Sequence, residues 1–268
     1  CDPDTVVWLQ QGIGKDKLIN DQWWQTETGW PICCNNIKIH TFKIHPGTAG
    51  HPLPGYDVRI LDEDLTNELP ATTMGKVCIK LPMPPSFMLT LWNNDEAFLA
   101  KYISSDNQYY ISGDCGFFDE HHFLNIMTRA DDMIKVAGHR LSTGRMEEVL
   151  TKVDVIVEAA VVGVSDELKG ELPFAFIICK SNVNTNDEHV AKNIIERAKE
   201  AIVHDIGAIS RLKGVLICHK LPKTRSGKII RSILRNLINK EELRIPSTIE
   251  DVSVIDEIQH DLIKHKHL

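Results

Sequence analysis

The chain has no C-x-x-C pair, no H-E-x-x-H and no other cysteine or histidine spacing typical of a metal site. Its seven cysteines are scattered apart from the adjacent Cys33 and Cys34, and an odd number does not make a disulfide framework. That usage points to an intracellular, reducing compartment. No apolar run approaches the length of a membrane span, and no signal peptide is visible. No internal repeat or low-complexity tract stands out. Positive charge is in deficit: the net charge of −7 argues against a general nucleic-acid or membrane-surface role. What basic density there is gathers at Lys220, Lys223, Arg225, Lys228, Arg231 and Arg235. A basic face on an acidic protein suits a phosphorylated small ligand better than a polymer. The 268 residues can hold one large domain or two small ones, and 43% apolar content is ordinary for a globular protein. The sequence begins with Cys1 rather than Met, which implies processing or truncation upstream.

The stretch Leu221-Pro222-Lys223-Thr224-Arg225-Ser226-Gly227-Lys228 has the strongest claim to chemistry. Pro222 ends an apolar strand, since it cannot donate to a ladder. Ser226 and Gly227 are expected to open a helix whose apolar face is Ile230, Ile233, Leu234, Leu237 and Ile238. That places Lys228 on a first helical turn, at the tip of a short mobile loop. A cation is disfavoured there by the helix dipole, so the placement suggests an anionic ligand. An exposed lysine without a role explains it about equally well. The segment is not a Walker loop, because Pro222 stands where the first glycine belongs and Ile229 follows the lysine.

Taken in order, residues 1–20 read as a polar–apolar segment ending in a buried strand at Leu18-Ile19-Asn20. Trp23, Trp24 and Trp30 then fall within eight residues, interleaved with Thr26, Glu27 and Thr28. They form either a core aromatic cluster or the wall of a ligand pocket. Residues 37–80 read as antiparallel β structure, with alternation at Asp57–Asp62 and Gly75–Lys80 and turns set by Pro52, Pro54 and Gly55. A short helix is expected through Asp95–Leu99. Tyr110-Ile111-Ser112-Gly113-Asp114 follows, where the Gly-Asp step is either a plain turn or a ribose-holding carboxylate at a strand end. After a strand over 123–130, the composition changes to alternating strands and helices. The chain is therefore divided into residues 1–130, an α+β unit of residues 131–245, and a tail helix in residues 246–268. Ser142 or Thr143 caps the helix bearing Met146, Val149, Leu150 and Val153.

In order and at these separations, the motifs resemble those of the adenylate-forming superfamily, and within it the AMP-forming short-chain acyl-CoA synthetases. Trp23-Trp24-Gln25-Thr26-Glu27 resembles the aromatic–Thr–Glu motif, Tyr110–Asp114 the ribose motif, Arg129–Arg140 the hinge motif, and Lys228 the C-terminal catalytic lysine. Gly50–Gly55 resembles the family's Gly-x-Pro-x-Pro-Gly turn, and Gly29-Trp30-Pro31-Ile32 is closest to the propionate type. The resemblance implies α/β and α+β architecture: the β-rich, C-terminal part of a large adenylate-forming domain, then a small mobile lid. It implies ATP, CoA and Mg²⁺ as co-reactants of a short-chain carboxylate such as propionate or acetate. Asp21, Gln22, Trp23, Trp24, Gln25 and Thr26 would line the adenylate, with Thr26 at the phosphate, Glu27 on Mg²⁺ and Trp24 as the acyl-pocket floor. Asp114 and Arg129 would hold the ribose, Arg140 the ATP phosphates, and Asp131 the hinge. Ala137 and Gly138 would lie along the pantetheine path, and Lys228 would act in acyl-adenylate formation. A mitochondrial matrix location is implied by resemblance alone.

Three departures qualify the resemblance. Val203 stands where acetate-type relatives carry a CoA-contacting arginine, and Ala137 replaces a serine common among them. No Thr/Ser/Gly-rich phosphate loop with its lysine occurs, so the chain alone is expected to be truncated and inactive. The alternatives are an adenylate-forming enzyme with another acceptor, such as a carrier-protein thiol, and a non-catalytic nucleotide-binding fragment.

Overall fold

Pro3 starts the first helix, α1 (Pro3–Ile13), in a computed structural model that describes residues 3–14, 17–35, 45–265 and 267. Proline is favoured at a first helical position because the amide it lacks would have no partner there. The strand expected at Leu18–Asn20 does not form. Leu18 is exposed, and Asn20 uses its carboxamide instead of a ladder: it donates to the Asn35 carbonyl and accepts the Asn35 amide, both at 3.0 Å. The chain falls into two compact units, Cys1–Asp131 and Asp132–Leu268.

The first unit holds two antiparallel sheets. β1 (Gln22–Trp24), β2 (Pro31–Cys34) and β3 (His51–Pro52) pair in that order. β4 (Asp57–Leu61), β5 (Gly75–Lys80), β6 (Tyr109–Phe118) and β7 (Leu124–Arg129) form a meander. Residues 37–44 of the expected β stretch lie outside the described residues. Alternation places Val58, Ile60, Val77 and Ile79 in one core with Trp23, Ile32, Tyr110 and Leu124. Helix α2 (Asp95–Tyr102) adds Phe98 and Tyr102, one turn apart on the same face, and Asn94 caps it by accepting the Ala97 amide.

The second unit is built on a long hairpin, β10 (Ile156–Asp166) and β11 (Gly170–Cys179), preceded by the short β8 (Ile134–Val136) and β9 (His139–Leu141). β12 (Gly214–Ile217) lies parallel to β11, and β8 joins its other end. Helices α3 (Thr143–Thr151) and α4 (Glu188–Ile206) cover one face, packing Met146, Leu150, Ile194 and Ile202 on Val161, Ala175 and Ile177. Helices α5 (Arg231–Asn239) and α6 (Ser253–Lys264) cover the other, over Val162, Phe174 and Phe176. Burial on both faces explains the near-continuous apolar runs of β10 and β11. The last helix is a core element: Val254, Ile255, Ile258 and Leu262 are buried, each worth roughly 1.5–3 kcal/mol. Among the described residues Cys33, Cys34, Cys78, Cys179 and Cys218 are free thiols, and burial pushes Cys78 and Cys218 up to about 12.

Candidate active site

In the first unit the site is built at an irregularity in β6. β5 and β6 pair as Cys78 with Ile111 and next as Val77 with Asp114, leaving Ser112 and Gly113 as extra residues. Gly113 adopts φ +73°, a left-handed conformation that suits glycine. Such a bulge re-aims the side chain that follows it. Here that side chain is Asp114, which is buried at 8% exposure yet bonded at both oxygens. Oδ2 accepts from the Trp23 indole N–H at 3.0 Å and from Gln25 Nε2 at 2.8 Å; Oδ1 accepts from Arg129 Nη1 at 3.1 Å.

Gln25 is a second link between the two sheets, beside the Trp23–Asp114 bond. Its Nε2 also donates to the Ser112 carbonyl at 2.9 Å, and its Oε1 accepts the Tyr110 hydroxyl at 2.6 Å. Burial, with the Glu27 carboxylate second, raises the Tyr110 pKa well above the usual range, so the hydroxyl stays a donor. Residues Thr26–Thr28 form one 3₁₀ turn, whose end Thr28 ties to Gln25 in both directions. Glu27 accepts from the Tyr102 hydroxyl at 3.1 Å, and its backbone carbonyl accepts the Met88 amide. Thr26 and Gln22 are exposed, while Asp21 is half-buried and accepts the Gln22 amide.

The three tryptophans do not share a face. Strand parity sends Trp23 into the core and Trp24 outward, at 58% exposure in this chain, and Trp30 is likewise exposed. Trp23 therefore serves the core and Asp114 together. Arg129 also reaches Asp131, Nε to Oδ1 at 3.6 Å, and Asp131 is exposed. A Cβ on Gly113 would stand 2.7 Å from Arg129 Nη2. Gly113→Ala is accordingly expected to cost about 1–2 kcal/mol from the left-handed backbone alone and to displace the guanidinium. Chemical denaturation with a crystal structure of the variant checks both parts.

In the second unit the expectation for Lys228 needs correction. The helix begins at Arg231, so Lys228 is not on its first turn and the dipole argument does not apply. Lys228 closes a tight turn instead: its carbonyl accepts the Thr224 amide at 2.8 Å and its amide donates to Thr224 Oγ1 at 3.2 Å. Gly227, at φ +83°, reverses the chain, and Lys223 bridges to Ile229 as in a strand pair. A chain folded back in this way cannot yet be helical. The turn is bonded rather than loose, and the exposed ammonium of Lys228 has no ion-pair partner among the described residues.

Ala137 and Gly138, at φ +47° and +84°, form the two-residue turn between β8 and β9, a conformation with type I′ character. The space beside Gly138 is open: nothing lies within 4 Å of an added Cβ. Arg140 is half-buried on β9 opposite Lys135, and Val203 is half-buried on α4. Tyr102 and Tyr110, the partners of Glu27 and Gln25, belong to the site as well, and no signal in the sequence pairs them with those residues. Among the described residues no cluster of three or more histidine, cysteine, aspartate or glutamate side chains is arranged to hold a metal.

Two stretches of the chain match the AMP-binding enzyme family, and solved adenylate-forming enzymes share its fold. The AMP-binding enzyme description matches residues 1–90, and the AMP-binding enzyme C-terminal domain matches residues 145–228, ending on the lysine of the turn. Among curated relatives, acyl-CoA synthetase short-chain family member B, mitochondrial, of Dictyostelium discoideum is 42% identical over 266 residues, covering 99% of this chain and 37% of that protein. Acyl-CoA synthetase short-chain family member 3, mitochondrial, of Bos taurus is 39% identical over 260 residues, covering 97% and 37%. An acetyl-coenzyme A synthetase of Pyrobaculum aerophilum is 34% identical, covering 95% and 37%. The chain thus spans less than half the length of these relatives. Among solved structures, ATP-bound MatB from Rhodopseudomonas palustris shares the fold, with TM-score 0.69 and 22% identity over 83% of this chain and 41% of that one. The anthranilate CoA ligase AuaEII in complex with anthranoyl-AMP has TM-score 0.69 and 26% identity, covering 87% and 41%.

Proposed function

We propose that the natural protein carrying this chain joins a short-chain carboxylic acid, propionate or acetate, to CoA through an acyl-adenylate, consuming ATP and releasing AMP and pyrophosphate. The observation that carries this reading is the 39–42% identity to short-chain acyl-CoA synthetases over 97–99% of the chain. The acid's carboxylate attacks the α-phosphorus of ATP and displaces pyrophosphate; the CoA thiol then attacks the acyl carbon and releases AMP. The first step brings two anions together and spreads charge over phosphate oxygens, so fixed cations and aligned donors supply most of its acceleration.

In this reading Asp114 and Arg129 hold the ribose, Thr26 the phosphate, and Asp21 through Gln25 line the adenylate. Arg140 meets the ATP phosphates, Lys228 the carboxylate–phosphate junction, and Ala137-Gly138 leave room for pantetheine. Asp131 is the hinge between the two half-reactions. Glu27 suits Mg²⁺, which takes one or two carboxylates and fills its remaining positions with water and substrate phosphate oxygens. The ion would neutralise charge on the leaving pyrophosphate. The division into residues 1–130, 131–245 and 246–268 belongs to the same reading, as does a mitochondrial compartment, which the names of the relatives favour. Lacking a Thr/Ser/Gly-rich phosphate loop, these 268 residues alone are expected not to turn over.

The direct test incubates the natural protein with ATP, propionate and free CoA and identifies the products. Propionyl-CoA and AMP in equal amounts support the reading. AMP release that ignores CoA but responds to an amine or a carrier-protein thiol favours the other acceptors, and nucleotide binding without turnover favours a non-catalytic role.

Trp24 sets chain length in this reading. Trp24→Gly is expected to shift preference towards longer acids, because the vacated indole volume admits several methylenes worth roughly 0.8 kcal/mol each. The kcat/KM series from acetate to octanoate measures it. An unchanged margin for propionate removes Trp24 from the acyl pocket.

A further inference from the structure

The turn that carries Lys228 is strapped on both sides to β10. On its entry side Lys223 Nζ lies 2.7 Å from Glu158 Oε1 of β10. On its exit side Arg231, the first residue of α5, makes a two-pronged pair with Glu147 of α3: Nε to Oε1 at 2.8 Å and Nη2 to Oε2 at 2.6 Å. Glu147 in turn accepts the Val161 amide of β10 at 2.9 Å, and the Ile230 amide closes the base of the turn on the Pro222 carbonyl at 2.8 Å. The remaining guanidinium nitrogen, Nη1, lies 3.9 Å from Asp132 Oδ2, at the first residue of the second unit. Arg231 and Glu147 are mostly buried, at 26% and 13% side-chain exposure, so this pair is far less screened than a surface bridge.

We propose that Arg231 is a positioning residue for acyl-adenylate formation: its fork on Glu147 fixes the Lys228 turn against β10 and in register with Asp132. Arg231 touches no substrate and acts through Lys228, so the inference rests on the function proposed above. Its chemistry explains why the anchor is an arginine. Only a planar fork can hold both Glu147 oxygens while a third nitrogen faces Asp132; a lysine offers a point charge. A lysine ammonium that must meet a carboxylate and a phosphate together gains from having its backbone fixed beforehand.

The test is Arg231→Lys in the natural protein, which keeps the charge and loses the fork. Propionate-dependent ATP–pyrophosphate exchange is expected to fall in kcat by about ten- to a hundredfold, the range that small misplacements cost. The KM for ATP and the rate of thioester formation from supplied propionyl-adenylate should each stay within about twofold. Glu147→Gln, which keeps the shape and weakens the pair, should give the same split with a smaller loss. Lys228→Ala serves as the standard. If it slows both half-reactions equally, the functional reading fails and this inference with it. If Lys228→Ala separates the half-reactions but Arg231→Lys slows both alike, or neither, the reading stands and the positioning role is overturned. Should Arg231→Lys not fold, Glu147→Gln decides; failure of both to fold assigns the clamp to the fold alone and overturns the proposal as well.

Discussion

Replacing Lys228 with alanine in the natural protein is expected to lower acyl-adenylate formation by about 10²–10³-fold, the usual loss for one electrostatic contact made in the transition state. Thioester formation from a supplied acyl-adenylate should stay within about twofold. The expectation stands on the turn rather than on a helix dipole. Thr224 bonds to the Lys228 backbone twice, Gly227 reverses the chain, and the ammonium is left exposed without an ion-pair partner among the described residues. A cation presented in this way is available to a ligand. Acetylation of the same lysine should reproduce the effect, since it removes the charge and keeps the stem. Pyrophosphate exchange and single-turnover thiolysis measure the two halves separately. Equal losses in both would remove Lys228 from the first step.

The second large effect concerns stability. Asp114→Ala is expected to cost the first unit roughly 2–4 kcal/mol, by leaving buried donors without an acceptor. The Trp23 indole N–H loses the only acceptor described for it, whereas Gln25 keeps the Ser112 carbonyl. Arg129 contributes little to this figure, because its side chain is 49% exposed and water can replace the lost partner. Asp114→Asn should be milder without being neutral: one face of its amide must present N–H groups to the donors of either Arg129 or the Trp23–Gln25 pair. Arg129→Ala is the contrast, with a stability loss below about 1 kcal/mol and, under the proposed function, a loss of nucleotide affinity. Denaturant titration followed by tryptophan emission separates the three variants. A loss for Asp114→Ala below about 0.5 kcal/mol would mean that the network does not hold the two sheets together.

Where local pattern decides structure, the sequence was informative. The alternation of Asp57–Asp62 and Gly75–Lys80 became β4 and β5, and Ile233, Leu234, Leu237 and Ile238 became the buried face of α5. The start of that helix was not legible, because Ser226 and Gly227 suit a helix opening and a tight turn equally. The bond from the Thr224 amide to the Lys228 carbonyl decides between them. Residues 1–20 failed for a related reason: short apolar runs do not declare their period, and the strand expected at Leu18–Asn20 gave way to a side-chain bond to Asn35. Among the tryptophans, parity on a three-residue strand put Trp23 and Trp24 on opposite faces, so neither the core cluster nor the ligand wall describes all three. The partnerships that set the site's geometry are remote in sequence. Trp23 and Asp114 are 91 positions apart, and Glu27 and Tyr102 are 75. Nothing in either stretch alone announces the other.

The most direct measurement follows one oxygen atom. If the acid attacks the α-phosphorus and a thiol later takes the acyl group, an oxygen of the acid stays behind on the nucleotide. The natural protein is supplied with ATP, CoA and propionate labelled with heavy oxygen in its carboxylate, and the products are weighed by mass spectrometry. One labelled oxygen in AMP and none in pyrophosphate is the predicted result. Label in inorganic phosphate with ADP as co-product, or unlabelled AMP beside newly formed thioester, would contradict it.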